Sequence, residues 1–247
     1  YITENDLLSD AAFGILVLTM DTVSSVVPRT DGMTDALVAE LGITSGDIFY
    51  ADYNGETAKG YDAAMAIFTA MAHDDIELLG LTTTFGNASI ENTTRNALQL
   101  VEMSGFDIPV AQGAASPSQQ KQSPYPDFVH GKDGLADLSL ELPQQQPIAQ
   151  DAAQFIIEQV NAHPNEITLV AVGPLGNLAT ALERDPTITG KVKQVVIMGG
   201  TVLESGNVSP VAEANIFSDP HAADRVMAAT WPVVMVGRDV THQALLS

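Results

Sequence analysis

Asp52 and Asp62 are the first residues of this 247-residue chain whose type and spacing suggest chemistry. Nine residues separate them, with Asn54 and Tyr61 in between. A carboxylate can take a proton from water or share an oxygen with a hard cation. An amide such as Asn54 can lend an oxygen but cannot accept a proton near neutral pH. Further along, Gly-Asn turns recur after apolar runs. They are Phe85-Gly86-Asn87, Gly173-Pro174-Leu175-Gly176-Asn177, and Gly199-Gly200 followed by Gly206-Asn207-Val208-Ser209-Pro210 and Ala212-Glu213-Ala214-Asn215. Each turn alone has a structural explanation, because Gly and Asn tolerate positive φ and Ser89 can cap a following helix. Together they share another: in α/β proteins, ligands bind at the carboxyl ends of parallel strands.

The elements that would carry these turns are legible as alternating periodicities. Strand-like apolar runs cover residues 14–18, 48–51, 77–82, 168–172, 194–198 and 233–236. Helical periodicity covers 33–41, 61–72, 90–103, 149–162, 179–185 and 220–228. Such alternation predicts an α/β fold, an open and mostly parallel sheet flanked by helices. Residues 112–147, which include SPSQQKQSPYPD, are predicted to form a surface loop or flap and not a domain boundary, since the alternation resumes afterwards. Asp219-Pro220 is expected to start a helix. Asp239, Thr241 and His242 are expected to play structural parts where a strand ends at a pocket rim.

Composition narrows the class. Thirty-one acids face 10 bases, a net charge of −21, which argues against a phosphate-backbone surface and hence against nucleic-acid partners. There is no cysteine, so disulfides, thiolate metal sites and cysteine nucleophiles are excluded. The apolar run 11–20 is too short to span a bilayer and has no Lys or Arg before it, so no membrane or targeting segment is expected. A start at Tyr1, and not Met, is expected to follow residues absent from this sequence. Cytoplasmic and exported locations both remain open.

The segments TTTFGNASIENTTRNALQL, FVHGKDGL, TLVAVGPLGNLATAL, IMGG, GNVSPVAEANIFSDP and WPVVMVGRDVTH resemble the inosine–uridine-type nucleoside hydrolases. They keep the family's order and approximate spacing, from about Ile48 to His242. The resemblance implies a Rossmann-like nucleoside hydrolase fold over residues 47–247, with 1–46 as an N-terminal extension. It also implies a calcium-dependent N-ribohydrolase that splits ribonucleosides into ribose and free base through an oxocarbenium-like transition state. Asn207, Glu213 and Asn215 match the ribose-binding motif, although Ala214 replaces its usual aromatic residue. Asn87 matches the Gly-Asn turn at the pocket, and His130 a histidine near the nucleobase. Val172 matches the position whose main-chain carbonyl binds calcium.

Departures from the family pattern are equally specific. The family's Asp-x-Asp-Pro-Gly-x-Asp-Asp loop corresponds here to residues 52–62, lengthened by about three residues. Asn54 stands at the position of the aspartate that is both base and metal ligand, and Tyr61 at that of a sugar-binding aspartate. Asp62 survives as ligand and catalytic acid group, and Asp52 or Glu56 could substitute for the base. The family's late His-Asp-Pro, which completes the calcium cage, is not found before Ser247. Two readings follow: a nucleoside hydrolase, or a catalytically impaired relative acting in binding or assembly. The expected partners are a nucleoside or ribose-like ligand and further copies of the chain, or other chains. The sequons at Asn87, Asn92 and Asn207 carry little weight, because Asn87 and Asn207 are also motif residues.

Overall fold

The computed structural model describes residues 14–20, 66–68, 70–71, 76–135, 137 and 141–241. Six strands form one sheet: β1 (Gly14–Met20), β2 (Ile76–Thr83), β3 (Val110–Gln112), β4 (Ile167–Ala171), β5 (Gln194–Met198) and β6 (Val233–Val236). Every neighbouring pair is parallel, and the order is β3-β2-β1-β4-β5-β6. The chain builds outward from β1 to β3, then returns to place β4 on the other side of β1. That reversal leaves a crevice at the carboxyl ends of β1 and β4, the position where open α/β sheets hold ligands. Because β1 lies within the first 46 residues and pairs with both β2 and β4, the boundary after residue 46 does not separate it from the sheet. The expected strand 48–51 and helix 33–41, together with Asp52, Asn54, Tyr61 and Asp62, lie outside the described residues.

The helices are α1 (Ile90–Ser104), α2 (Asp127–His130), α3 (Ala152–Ala162), α4 (Gly176–Arg184), α5 (Ala214–Ser218), α6 (Pro220–Met227) and α7 (Arg238–Thr241); residues 66–68 and 70–71 are helical too. Strand side chains alternate between faces, which divides the core in two. Ile167, Leu169, Val195 and Ile197 pack with Phe155 and Ile156 of α3, Leu178 and Leu182 of α4, and Val226 of α6. Val170, Val196 and Met198 join Leu81, Val236, Ala97, Leu98 and Val101 of α1, and Ile67 and Ala70 on the other face. Burial on both faces explains why these strands read as continuous apolar runs. At Gly80 in β2 an added Cβ would lie 2.5 Å from the Phe155 ring, so the absent side chain lets α3 rest on the sheet. No helix among the described residues is long and apolar enough to cross a membrane.

Observed boundaries follow local chemistry. Ser89 accepts the Asn92 N–H at the start of α1, and Gly105, with φ of 73°, ends it. Helix α3 begins at Ala152, three residues later than periodicity suggests, because Asp151 caps it by accepting the Gln154 N–H. Asp219 caps α6 in the same way through Ala222, as expected. Short elements differ from expectation: β3, α2 and α5 have no counterpart in the periodicity, α4 begins at Gly176 and not at 179, and residues 238–241 form a helix where a strand end is expected.

Candidate functional site

Two strand ends converge on side chains from one short segment, residues 207–215. Asn215, 2% exposed in the first turn of α5, donates from Nδ2 to the Met198 carbonyl (3.0 Å) and the Val172 carbonyl (3.3 Å). It therefore bridges the carboxyl ends of β4 and β5. Beside it, the buried Glu213 carboxylate caps α5: Oε1 accepts from Asn215 N–H (3.0 Å), and Oε2 accepts from Asn215 (3.0 Å) and Ile216 (3.2 Å). Oε2 also accepts the Gly200 N–H at 2.9 Å, which fixes the turn after β5. Asn207 Oδ1 accepts the Ala214 N–H at 2.9 Å. Val172, Asn207, Glu213 and Asn215 thus form one constellation beside the crevice, built around the start of a five-residue helix.

On the other side of the crevice, Asn87 is buried in the turn after β2 and His130 ends α2. The Thr-Thr pair of α1 anchors that turn. Thr94 Oγ1 hydrogen-bonds Thr83 Oγ1 at 2.8 Å, and Thr93 Oγ1 donates to the Thr84 carbonyl at 3.0 Å. His130 is 1% exposed and neither ring nitrogen has a protein partner. Burial pushes its imidazole down to about 4, so the ring is neutral at pH 7. The segment after His130 is held to α1 by Asn92 Nδ2 to the Lys132 carbonyl (2.8 Å), and by Arg95 Nη2 (3.1 Å) and Asn96 Nδ2 (2.9 Å) to the Asp133 carbonyl. The Arg-Asn pair in Thr-Thr-Arg-Asn-Ala therefore positions the histidine loop, a role that helical spacing alone did not reveal.

Some motif residues are clamps. Asn177, in the Gly-Pro-Leu-Gly-Asn turn, accepts the Ala114 N–H (2.8 Å) and donates to the Thr83 carbonyl (2.9 Å), joining the ends of β2, β3 and β4. A Cβ on Gly113 would overlap its side chain. Asp239 accepts from Val202 (2.8 Å), Leu203 (2.6 Å) and Glu204 (3.0 Å). Those backbone donors, Leu203 first, hold its carboxyl below the usual range. Arg238, missed in the sequence, is buried beneath the same loop: its Nε donates to the Ser205 carbonyl at 2.8 Å, and one terminal nitrogen has no protein partner. Only an unusual buried cation in an acidic chain could have drawn attention to it.

Comparisons with known proteins identify the family. A family model described as inosine-uridine preferring nucleoside hydrolase matches residues 57–247. Uridine nucleosidase 1 of Arabidopsis thaliana is 45% identical over 209 residues, covering 83% of this chain and 62% of that protein. The inosine-uridine preferring nucleoside hydrolase of Leishmania major is 42% identical over 189 residues, covering 75% and 60%. A plant nucleoside hydrolase superposes with a TM-score of 0.74 at 35% identity, covering 93% of this chain and 61% of that one. A purine-preferring ribonucleoside hydrolase from Gardnerella vaginalis gives 0.72 at 29% identity, covering 94% and 63%. The chain thus spans about three-fifths of the length of these relatives. With its family motifs, parallel sheet and matched span of residues 57–247, the chain belongs to the inosine-uridine preferring nucleoside hydrolase family.

Proposed function

We propose that the chain hydrolyses the N-glycosidic bond of ribonucleosides, uridine and inosine first, giving ribose and the free base. The observation that carries this reading is the Asn215 bridge between the ends of β4 and β5, beside the carboxylate of Glu213 and the amide of Asn207. Amides and a carboxylate held rigidly together suit a polyhydroxylated sugar, and negative charge near the ring favours an oxocarbenium-like transition state. Asn207, Glu213 and Asn215 hold the ribose in this reading, with Asn87 at the opposite wall. Water attacks the anomeric carbon as the carbon–nitrogen bond breaks and its electron pair leaves with the base. Asp52 or Glu56 takes the water's proton, because Asn54 at the base position cannot, and Asp62 serves as a ligand. Neutral His130 offers the departing base a hydrogen bond; with its imidazole near 4, it is a weak source of a full proton at pH 7.

Calcium fits the donor chemistry. The Val172 carbonyl meets Asn215 at 3.3 Å, a long bond that leaves a lone pair for a hard cation. Among the described residues no three of His, Asp and Glu form a metal-holding group, so the other oxygens would come from Asp52, Asn54 and Asp62. Calcium would bind the ribose hydroxyls and polarise the attacking water. A homo-oligomeric assembly belongs to the same proposal. Reducing-sugar release from uridine and inosine, with calcium supplied, tests it. We expect turnover with both nucleosides and its loss in Glu213→Ala; absence of sugar release from either nucleoside would overturn the proposal.

A further inference from the structure

The loop after β3 crosses from that edge strand toward the far side of the sheet. It is first pinned near the crevice, where Phe85 N–H donates to the Ala114 carbonyl (2.8 Å) and Ala114 N–H to Asn177 (2.8 Å). It then grips the junction between α5 and α6. Ser118 donates its N–H to Asp219 Oδ2 (2.8 Å) and its hydroxyl to Asp219 Oδ1 (2.8 Å). Gln120 Nε2 donates to the carbonyls of Phe217 and Ser218, both at 2.8 Å. Asp219 is 1% exposed and follows the last residue of α5.

A five-residue helix has almost no stability of its own. Its placement must come from what holds its two ends. Glu213 ties the amino end to Gly200, and the Ser118–Asp219 and Gln120 contacts tie the carboxyl end to the strap from β3. The same strap runs on into α2 and His130. We propose that Ser118 is a positioning residue: through Asp219 it fixes α5, and so sets Asn215 and Glu213 for the ribose while coupling them to the strap that leads to His130. This rests on the nucleoside-hydrolase reading above. The conjunction of a buried carboxylate, a hydroxyl and a main-chain N–H fits such a latch, since hydrogen bonds to charged groups are the stronger kind.

The test uses the full chain with calcium. It measures kcat and KM for uridine and the inhibition constant of D-ribose in wild type, Ser118→Ala, Ser118→Thr and Gln120→Ala. Loss of one charge-assisted hydrogen bond should raise both KM and the ribose inhibition constant about tenfold in Ser118→Ala, with kcat less affected. Ser118→Thr should restore both, and Gln120→Ala should move them in the same direction as Ser118→Ala. A Ser118→Ala protein that melts earlier yet keeps wild-type KM and ribose inhibition overturns the latch alone. Wild-type protein that neither cleaves uridine nor binds D-ribose overturns the hydrolase reading and the latch with it.

Discussion

Asn215 gives its amide hydrogens to two main-chain carbonyls, those of Val172 and Met198. Replacing it with alanine leaves those buried acceptors without this donor, a loss of about 1–3 kcal/mol. Urea unfolding should show that loss, and Asn215→Asp should lose more, because a carboxylate would face two carbonyl oxygens. Wild-type stability in either variant would contradict the bridging role. His130 supplies a pH test. Unfolded chains protonate this imidazole near 6.5 and the folded protein only near 4, so the unfolded state binds the extra proton between these values. Stability present above about pH 6.5 should therefore fall toward pH 4, with a contribution of at most about 1.4 kcal/mol per pH unit that His130→Gln removes. An unchanged slope in the variant would rule this out. The grouping of Asn207, Glu213 and Asn215 was legible through their resemblance to the family's ribose-binding motif. Asn177 was not legible as a clamp, because its partners Thr83 and Ala114 lie 94 and 63 residues away. Nor was Arg238, whose acceptor Ser205 is a tertiary neighbour 33 residues away.

Among the elements, β4 and β5 were legible because both faces are buried, which makes them uninterrupted apolar runs. The short pieces were not. Strand β3 has three residues, α5 five and α7 four, and each is placed by partners that no local pattern encodes. Asp239 illustrates this: its carboxylate gathers three N–H groups from the loop after β5, 35 to 37 residues away in sequence. Gly80 tests the packing of α3 on β2. A methyl group there meets Phe155 at 2.5 Å, and overpacking of this kind costs about 1–3 kcal/mol. Gly80→Ala should lower the melting temperature, and Phe155→Leu should relieve part of the penalty when combined with it. Additive effects of the two changes would show that the ring and the glycine do not meet as described.

Across the whole molecule, alternating strands and helices forecast a parallel α/β sheet, but not its order. The order depends on which strand pairs with β1 on each side, and β1 itself comes from the first 46 residues, where the family motifs gave no guidance. That topology brings the turns after β2, β4 and β5 around a single crevice, although the ends of β2 and β5, Thr83 and Met198, lie 115 residues apart. The ion pairs Arg184–Asp151 and Arg225–Glu183 both lie at the surface, so each adds little to the architecture. The most direct test of the central claim is product analysis of uridine incubated with the chain, calcium and inorganic phosphate. Uracil and free ribose should appear in equal amounts, and Asn215→Ala should abolish both. Intact uridine, or sugar recovered as a phosphate ester, would contradict hydrolysis at this site.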